Sequence, residues 1–128
     1  MFKFFLSILS TINILSANIN VVISKNSKLS NVTKNELANV YLKKTDKIQG
    51  QKVIVINNKD DYNEFNKKIL NKTPSQMHAY WMKQVFLGRK IPPKNIEKKD
   101  IHIEINKNHN SITYTSDKID AKVIYETK

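Results

Sequence analysis

Residues 73–93 read TPSQMHAYWMKQVFLGRKIPP, and the fold turns on how this stretch is understood. Thr73 stands at a cap position, Pro74 at the first helical position and Gln76 three residues beyond the cap, so three separate signals mark a helix start. Gly88 suits the left-handed residue that closes a helix, and Pro92-Pro93 prevents continuation. A helix over residues 74–87 is therefore expected. Only His78, Lys83 and Gln84 interrupt Met77, Ala79, Tyr80, Trp81, Met82, Val85, Phe86 and Leu87 around its wheel. Such a helix should be covered on most sides, either at the centre of the domain or by a partner chain.

On the amino-terminal side, residues 57–61 (NNKDD) read as a polar turn, and Asp61 with Glu64 boxes the start of another helix, with Tyr62, Phe65 and Ile69 on one side. Before the turn lies VIVI (53–56), an uninterrupted apolar run of the kind a strand covered on both faces shows. Residues 46–51, with Gly50, break the pattern. Further back, Thr33 and Glu36 form a capping box and Val32 with Leu37 a hydrophobic staple, giving a helix to about residue 43 that buries Leu37, Val40 and Tyr41. INVVIS (19–24) is a buried first strand. Strand, helix, strand implies a parallel pair joined by a right-handed crossover. On the carboxyl side, Ile101, Ile103 and Ile105 alternate with polar residues and argue a strand by period, with a helix from Asp100 as the competing reading. Residues 112–115 and 122–125 are closing strands.

Composition narrows the function. With 128 residues and 40% apolar content the chain makes one domain, and the absence of cysteine excludes disulfides, thiolate metal sites and cysteine nucleophiles. The formal charge of +11 comes from 21 Lys and one Arg spread over every segment, a solvated surface rather than the arginine forks and concentrated basic face of nucleic-acid recognition. No nucleic-acid partner is expected. The opening MFKFFLSILSTINILSA has one cation at Lys3, an apolar run broken by Ser7, Ser10, Thr11 and Asn13, and the small pair Ser16-Ala17. Residues 1–17 are read as a secretory signal peptide and 18–128 as the exported domain, with no membrane span after cleavage and a periplasmic location.

The residues offer no catalytic constellation. His78, His102 and His109 match no metal-ligand spacing, His78 reads as a packing residue of its helix, and there is no glycine-rich phosphate loop. No metal, cofactor or enzymatic activity is expected. Asp60-Asp61 is the one adjacent acid pair, and it stands at the carboxyl end of the VIVI strand, where open α/β sheets place ligands. Helix capping is its plainer role.

The order VVIS, LSNVTKNELANVYLKK, GQKVIVIN, FNKKIL, TPSQMHAYWMKQVFLGRKIPP and SITYTS resembles the small exported proteins related to phosphate ABC transporter substrate-binding proteins. Tyr80, Trp81, Phe86, Gly88, Arg89, Pro92 and Pro93 stand in that family's Tyr-Trp helix pattern, and Ile112 and Tyr114 in its last motif. The resemblance implies an α/β single lobe of a type 2 periplasmic-binding-protein fold, a mixed sheet flanked by helices, with residues 100–107 helical. It also implies a non-enzymatic solute-binding module whose ligand, an oxyanion or other small solute, lies at Asn57, Asn58, Lys59, Asp60 and Asp61. Two departures bear on this. Lys43 replaces a turn glycine, and residues 57–61 replace the family's phosphate loop, where two carboxylates repel an anion and occupy the amides it needs. The alternative is an interaction module that has lost the solute site and pairs, with a second copy or another protein, through the Tyr80/Trp81 helix.

Overall fold

The structure, a computed structural model, describes residues 18–127; the expected signal peptide lies outside them. The elements are β1 (Asn20–Ile23), α1 (Lys34–Tyr41), β2 (Lys47–Ile48), β3 (Gln51–Lys52), β4 (Ile54–Asn58), α2 (Tyr62–Phe65), α3 (Pro74–Phe86), β5 (Lys94–Ile96), α4 (Ile101–Lys107), β6 (Ser111–Thr115) and β7 (Lys122–Glu126). Short 3-10 turns at Lys59–Asp61 and Lys98–Asp100 lead into α2 and α4, and α2 widens into a π turn over Asn66–Leu70.

Five strands form a mixed sheet in the order β5-β4-β6-β1-β7. β4 runs parallel to β5 and β6, whereas β1 is antiparallel to both β6 and β7. The expected parallel pair of β1 and β4 is therefore not present. β6 lies between them and β1 runs opposite to β4, so the crossover rule does not govern that connection. The cause is β6, buried at all five positions, which takes the central place because both its edges can be paired and both its faces covered.

Each face has its own helices. Val21, Ile23, Val55, Ile112 and Tyr114 meet Leu37, Val40, Tyr41, Phe65, Ile69, Met77 and Trp81 in one cluster. Val22, one residue out of phase along β1, meets Ile101 and Ile105 on the other face. That second face decides the ambiguous stretch: Ile101 and Ile105 are buried one turn apart while Ile103 is 62% exposed, so residues 101–107 form a helix whose period is read by only two of the three isoleucines.

The local signals at α1 and α3 act as expected. Thr33–Glu36 and Thr73–Gln76 both make reciprocal capping boxes. Both helices end in the same motif, with Lys44 N–H donating to the Asn39 carbonyl and Lys43 N–H to that of Val40, and with Arg89 N–H to Gln84 and Gly88 N–H to Val85. The left-handed position is Gly88 in one (φ 66°) and Lys43 in the other (φ 61°). Gln49 (φ 55°) and Gly50 (φ 76°) turn the small β2–β3 hairpin, which the sequence showed only as a break. Strand β5 was likewise unread, hidden behind the two prolines.

Of the two settings expected for α3, the centre of the domain is not the one the structure shows: within its own chain only Met77, Trp81 and Gln84 are buried, while Met82 (57%), Val85 (51%) and Phe86 (88%) are exposed. The helix lies at the surface and is tied to the end of α1 by the Tyr80 hydroxyl, which donates to the Leu42 carbonyl at 2.6 Å.

Replacing Lys43 with Gly removes the side-chain penalty of the left-handed conformation, and is expected to raise unfolding free energy by about 1 kcal/mol in urea denaturation. A neutral or destabilising result contradicts the strain.

Candidate functional site

The carboxyl ends of the parallel strands β4 and β5 carry the candidate residues. Strand β4 continues through Asn57 and Asn58, which are buried, so the expected polar turn begins only at Lys59. Asn58 sits behind the turn. Its Oδ1 accepts from Asp60 N–H at 3.0 Å, and its Nδ2 donates to Asp61 Oδ2 at 3.0 Å and to the Tyr114 carbonyl at 2.9 Å. The cap of the turn is thus Asn58, and the proposed boxing of α2 by Asp61 is replaced by something longer in range.

The Asp61 carboxylate reaches across the sheet to the end of β6. It accepts from Ser116 N–H at 2.8 Å and from the Ser116 hydroxyl at 3.1 Å, and Lys98 lies 3.6 Å away. Lys98 also donates to Ser116 Oγ at 2.7 Å and approaches Asp117 at 3.6 Å. Asp61 is therefore held by an amide, a hydroxyl, the Asn58 side chain and a cation, all from its own chain. Ser116 and Lys98 gave no sequence signal, because their roles arise only when the ends of β4 and β6 come together.

Asn57 and Lys59 line two separate concavities, and Asp60 is exposed beside the turn. Lys59 joins Asn95, Glu97, Lys99 and Asp100 around a shallow depression of about 440 Å³. Asn57 lines a cavity of about 360 Å³ together with Tyr62, Pro74, Met77, His78, Trp81, Pro92, Pro93 and Asn95. The five residues singled out in the sequence are thus divided: Asn58 and Asp61 knit the sheet, while Asn57 and Lys59 face different hollows. His78 is exposed on the rim of the cavity rather than packed, which corrects the expectation for it.

The polar inventory of the Asn57 cavity is donor-rich. The Asn57 Oδ1 accepts from the Tyr114 hydroxyl at 2.7 Å, which leaves its Nδ2 with no partner among the described residues. Trp81 is buried, with 7% exposure, and its indole N–H has no acceptor among the described residues. Asn95 and His78 complete the set around walls of proline, methionine and indole. Among the described residues no group of three or more His, Asp or Glu could hold a metal ion, and no helix is long and apolar enough to cross a membrane.

Beneath the cavity lies an aromatic stack. Phe65 and Tyr114 are face to face at 3.8 Å, and Tyr41 tilts against Phe65 at 4.7 Å. Burial pushes both phenols well above their usual range, and for Tyr114 the neighbouring Tyr41 adds to the effect.

This architecture, a mixed sheet with helices on both faces and hollows at its parallel strand ends, is the α/β fold of a type 2 periplasmic-binding-protein lobe. An ABC-type phosphate transport receptor from Vibrio cholerae is similar over 84% of this chain and 46% of its own, with a TM-score of 0.51 and 12% identity. PstS from Borrelia burgdorferi is similar over 77% of this chain and 41% of its own, with a TM-score of 0.55 and 16% identity. The chain therefore spans less than half the length of these receptors, and at such identities the likeness is one of fold. No family model and no curated protein matches the sequence.

Two outcomes are expected. Asp61→Ala, which strips Ser116, Asn58 and Lys98 of a shared acceptor, should lower unfolding free energy by about 1–3 kcal/mol, measured by chemical denaturation; an unchanged midpoint would show the carboxylate to be idle. The raised phenol values give a pH dependence of defined sign. The unfolded chain ionises Tyr41 and Tyr114 near pH 10 while the folded chain resists, so stability is retained below that pH and falls as pH rises beyond it. Denaturation midpoints should decline above about pH 10, less steeply in Tyr41→Phe/Tyr114→Phe.

Proposed function

We propose that this chain is an exported, non-enzymatic solute-binding module of the kind related to phosphate ABC transporter substrate-binding proteins, with residues 1–17 as its signal peptide, residues 18–128 as its domain and the periplasm as its location. The observation that carries the reading is the Asn57 cavity at the ends of β4 and β5: open volume and apolar walls, with asparagines in its lining and the partnerless indole N–H of Trp81 beside it. Its chemistry favours an organic solute with an acceptor group, such as a carboxylate, and an apolar body. Inorganic phosphate is a poor fit. The Asp60 amide is already capped by Asn58, Asp61 keeps its donors for itself, and Lys59 alone supplies charge from the turn.

A second reading, a protein-interaction module acting through α3, is favoured by one observation, the exposure of Met82, Val85 and Phe86 on that helix.

Trp81, the single tryptophan, reports on the cavity. Benzoate, as a compact aromatic carboxylate, should change its fluorescence saturably at millimolar concentration, and Asn57→Leu should weaken that response about tenfold, whereas phosphate and sulfate should have no effect in the same range. Saturation by phosphate at micromolar concentration would overturn the choice of solute. No response to either would remove the solute role in favour of the interaction module.

A further inference from the structure

Helix α3 presents an outer face built from Met82, Val85 and Phe86, spaced i, i+3 and i+4, with Phe86 88% exposed. Leu87 at the helix end and Ile91 just beyond it are also exposed, at 45% and 70%. Lone surface apolars need no explanation, but five of them within ten residues along the end of one helix do.

Charge tells what covers them. From Phe65 to Ile96 the sequence contains no Asp or Glu and seven cations: Lys67, Lys68, Lys72, Lys83, Arg89, Lys90 and Lys94. The other long acid-free stretch, residues 1–35, holds only four lysines in 35 residues, and the remaining segments intersperse all 11 acids with their lysines, so the density of cations here is a local asymmetry and not just the general excess. Lys94 is paired with Glu104. Lys83, Arg89 and Lys90, which flank the apolar residues in sequence along the helix end, have no carboxylate partner among the described residues; Lys90 rests against the Tyr80 hydroxyl and the Leu42 carbonyl.

A second copy of the chain is a poor occupant. A two-fold contact would set Lys83 and Arg89 of one copy near the same cations of the other with no acid to separate them. What fits projecting apolar side chains with cations of a single sign around them is an interface whose polar layer is uniformly negative and whose interior is apolar.

We propose that the α3 face of Met82, Val85, Phe86 and Leu87, with Lys83 and Arg89, docks on the surface of an anionic lipid bilayer. Phe86 and its neighbours enter the boundary between headgroups and acyl chains, and the cations meet lipid phosphates. The helix lies on the membrane and does not span it. This proposal stands apart from the solute reading, because the Asn57 cavity is lined by the inner face of α3, including Met77 and Trp81.

The test is co-sedimentation of the domain beginning at Asn18, which holds the complete sheet and both of its hydrophobic clusters. Vesicles of phosphatidylglycerol and phosphatidylcholine in equal parts are compared with phosphatidylcholine alone. Binding is expected only to the anionic vesicles, weakening with added salt, and falling about tenfold or more in Phe86→Ser and in Lys83→Ser/Arg89→Ser. These side chains are exposed, so thermal unfolding should confirm that the variants fold like the parent. Equal binding by Phe86→Ser and the parent overturns the proposal in favour of diffuse attraction by net charge. Absence of vesicle binding also overturns it, and a concentration-dependent dimer lost in Phe86→Ser would then assign the face to a second copy.

Discussion

The stacking of Phe65 on Tyr114, with Tyr41 tilted against both, holds the rest of the molecule in place. Three elements far apart in sequence meet in these rings: the end of α1, the only regular α-helical turn of α2 and the central strand. The contact is more than apolar burial. The Tyr41 hydroxyl reaches the carbonyls of Ile56 on β4 and Ile112 on β6, at 2.9 and 3.0 Å, and so stitches α1 to two adjacent parallel strands from one face. A buried phenol must find such a partner, and this one selects the pair of strands whose ends bear the candidate site.

From that anchor the tip geometry follows. Tyr114 passes the constraint outward, because its hydroxyl donates to Asn57 and its backbone carbonyl accepts from Asn58. Asn57 thereby commits its amide oxygen to the Tyr114 hydroxyl, and its nitrogen has no partner among the described residues. Asn58 and Asp61 then close the adjoining turn against Ser116 and Lys98. One strand end is both sealed and open: Asp61 is consumed in holding β4 to β6, and the hollow beside it is lined by asparagine, tryptophan and proline. The result is an α/β lobe in which Asp61 serves the fold and the neighbouring hollow has a different chemistry from the acidic turn.

Much of this was legible in sequence where the cause is local. Thr33 and Glu36, or Thr73, Pro74 and Gln76, need only each other to set a helix start, and the order of segments led to the lobe. Readings failed where the cause lies across the sheet. The placement of β6 between β1 and β4 depends on a pairing formed by residues about ninety apart in sequence for β1 and about fifty-seven for β4, which no window of apolar period contains. Asp61 was read as a cap because its partner Ser116 is 55 residues away. For α3 the composition left two settings open, and the domain has only enough surface to bury one side of it. The 57–61 segment does lie at a strand end, but Asn57 and Asn58 belong to the strand itself, and no local pattern separates Asn57 and Lys59, which line different hollows, from Asn58 and Asp61, which bind the chain.

The central claim is that the Asp61 turn is sealed from within while the Asn57 cavity is open to a solute. Side-chain and backbone amide resonances, followed by NMR as benzoate and then phosphate are added to the ¹⁵N-labelled domain, test this most directly. Benzoate should move the Trp81 indole N–H and the Asn57 side-chain amide while the Asn58 side-chain amide and the Ser116 backbone amide stay fixed, and phosphate should move none of the four. Phosphate-dependent displacement of Ser116 together with the amides of Lys59, Asp60 and Asp61 would show that the turn opens for an anion, and would contradict the account.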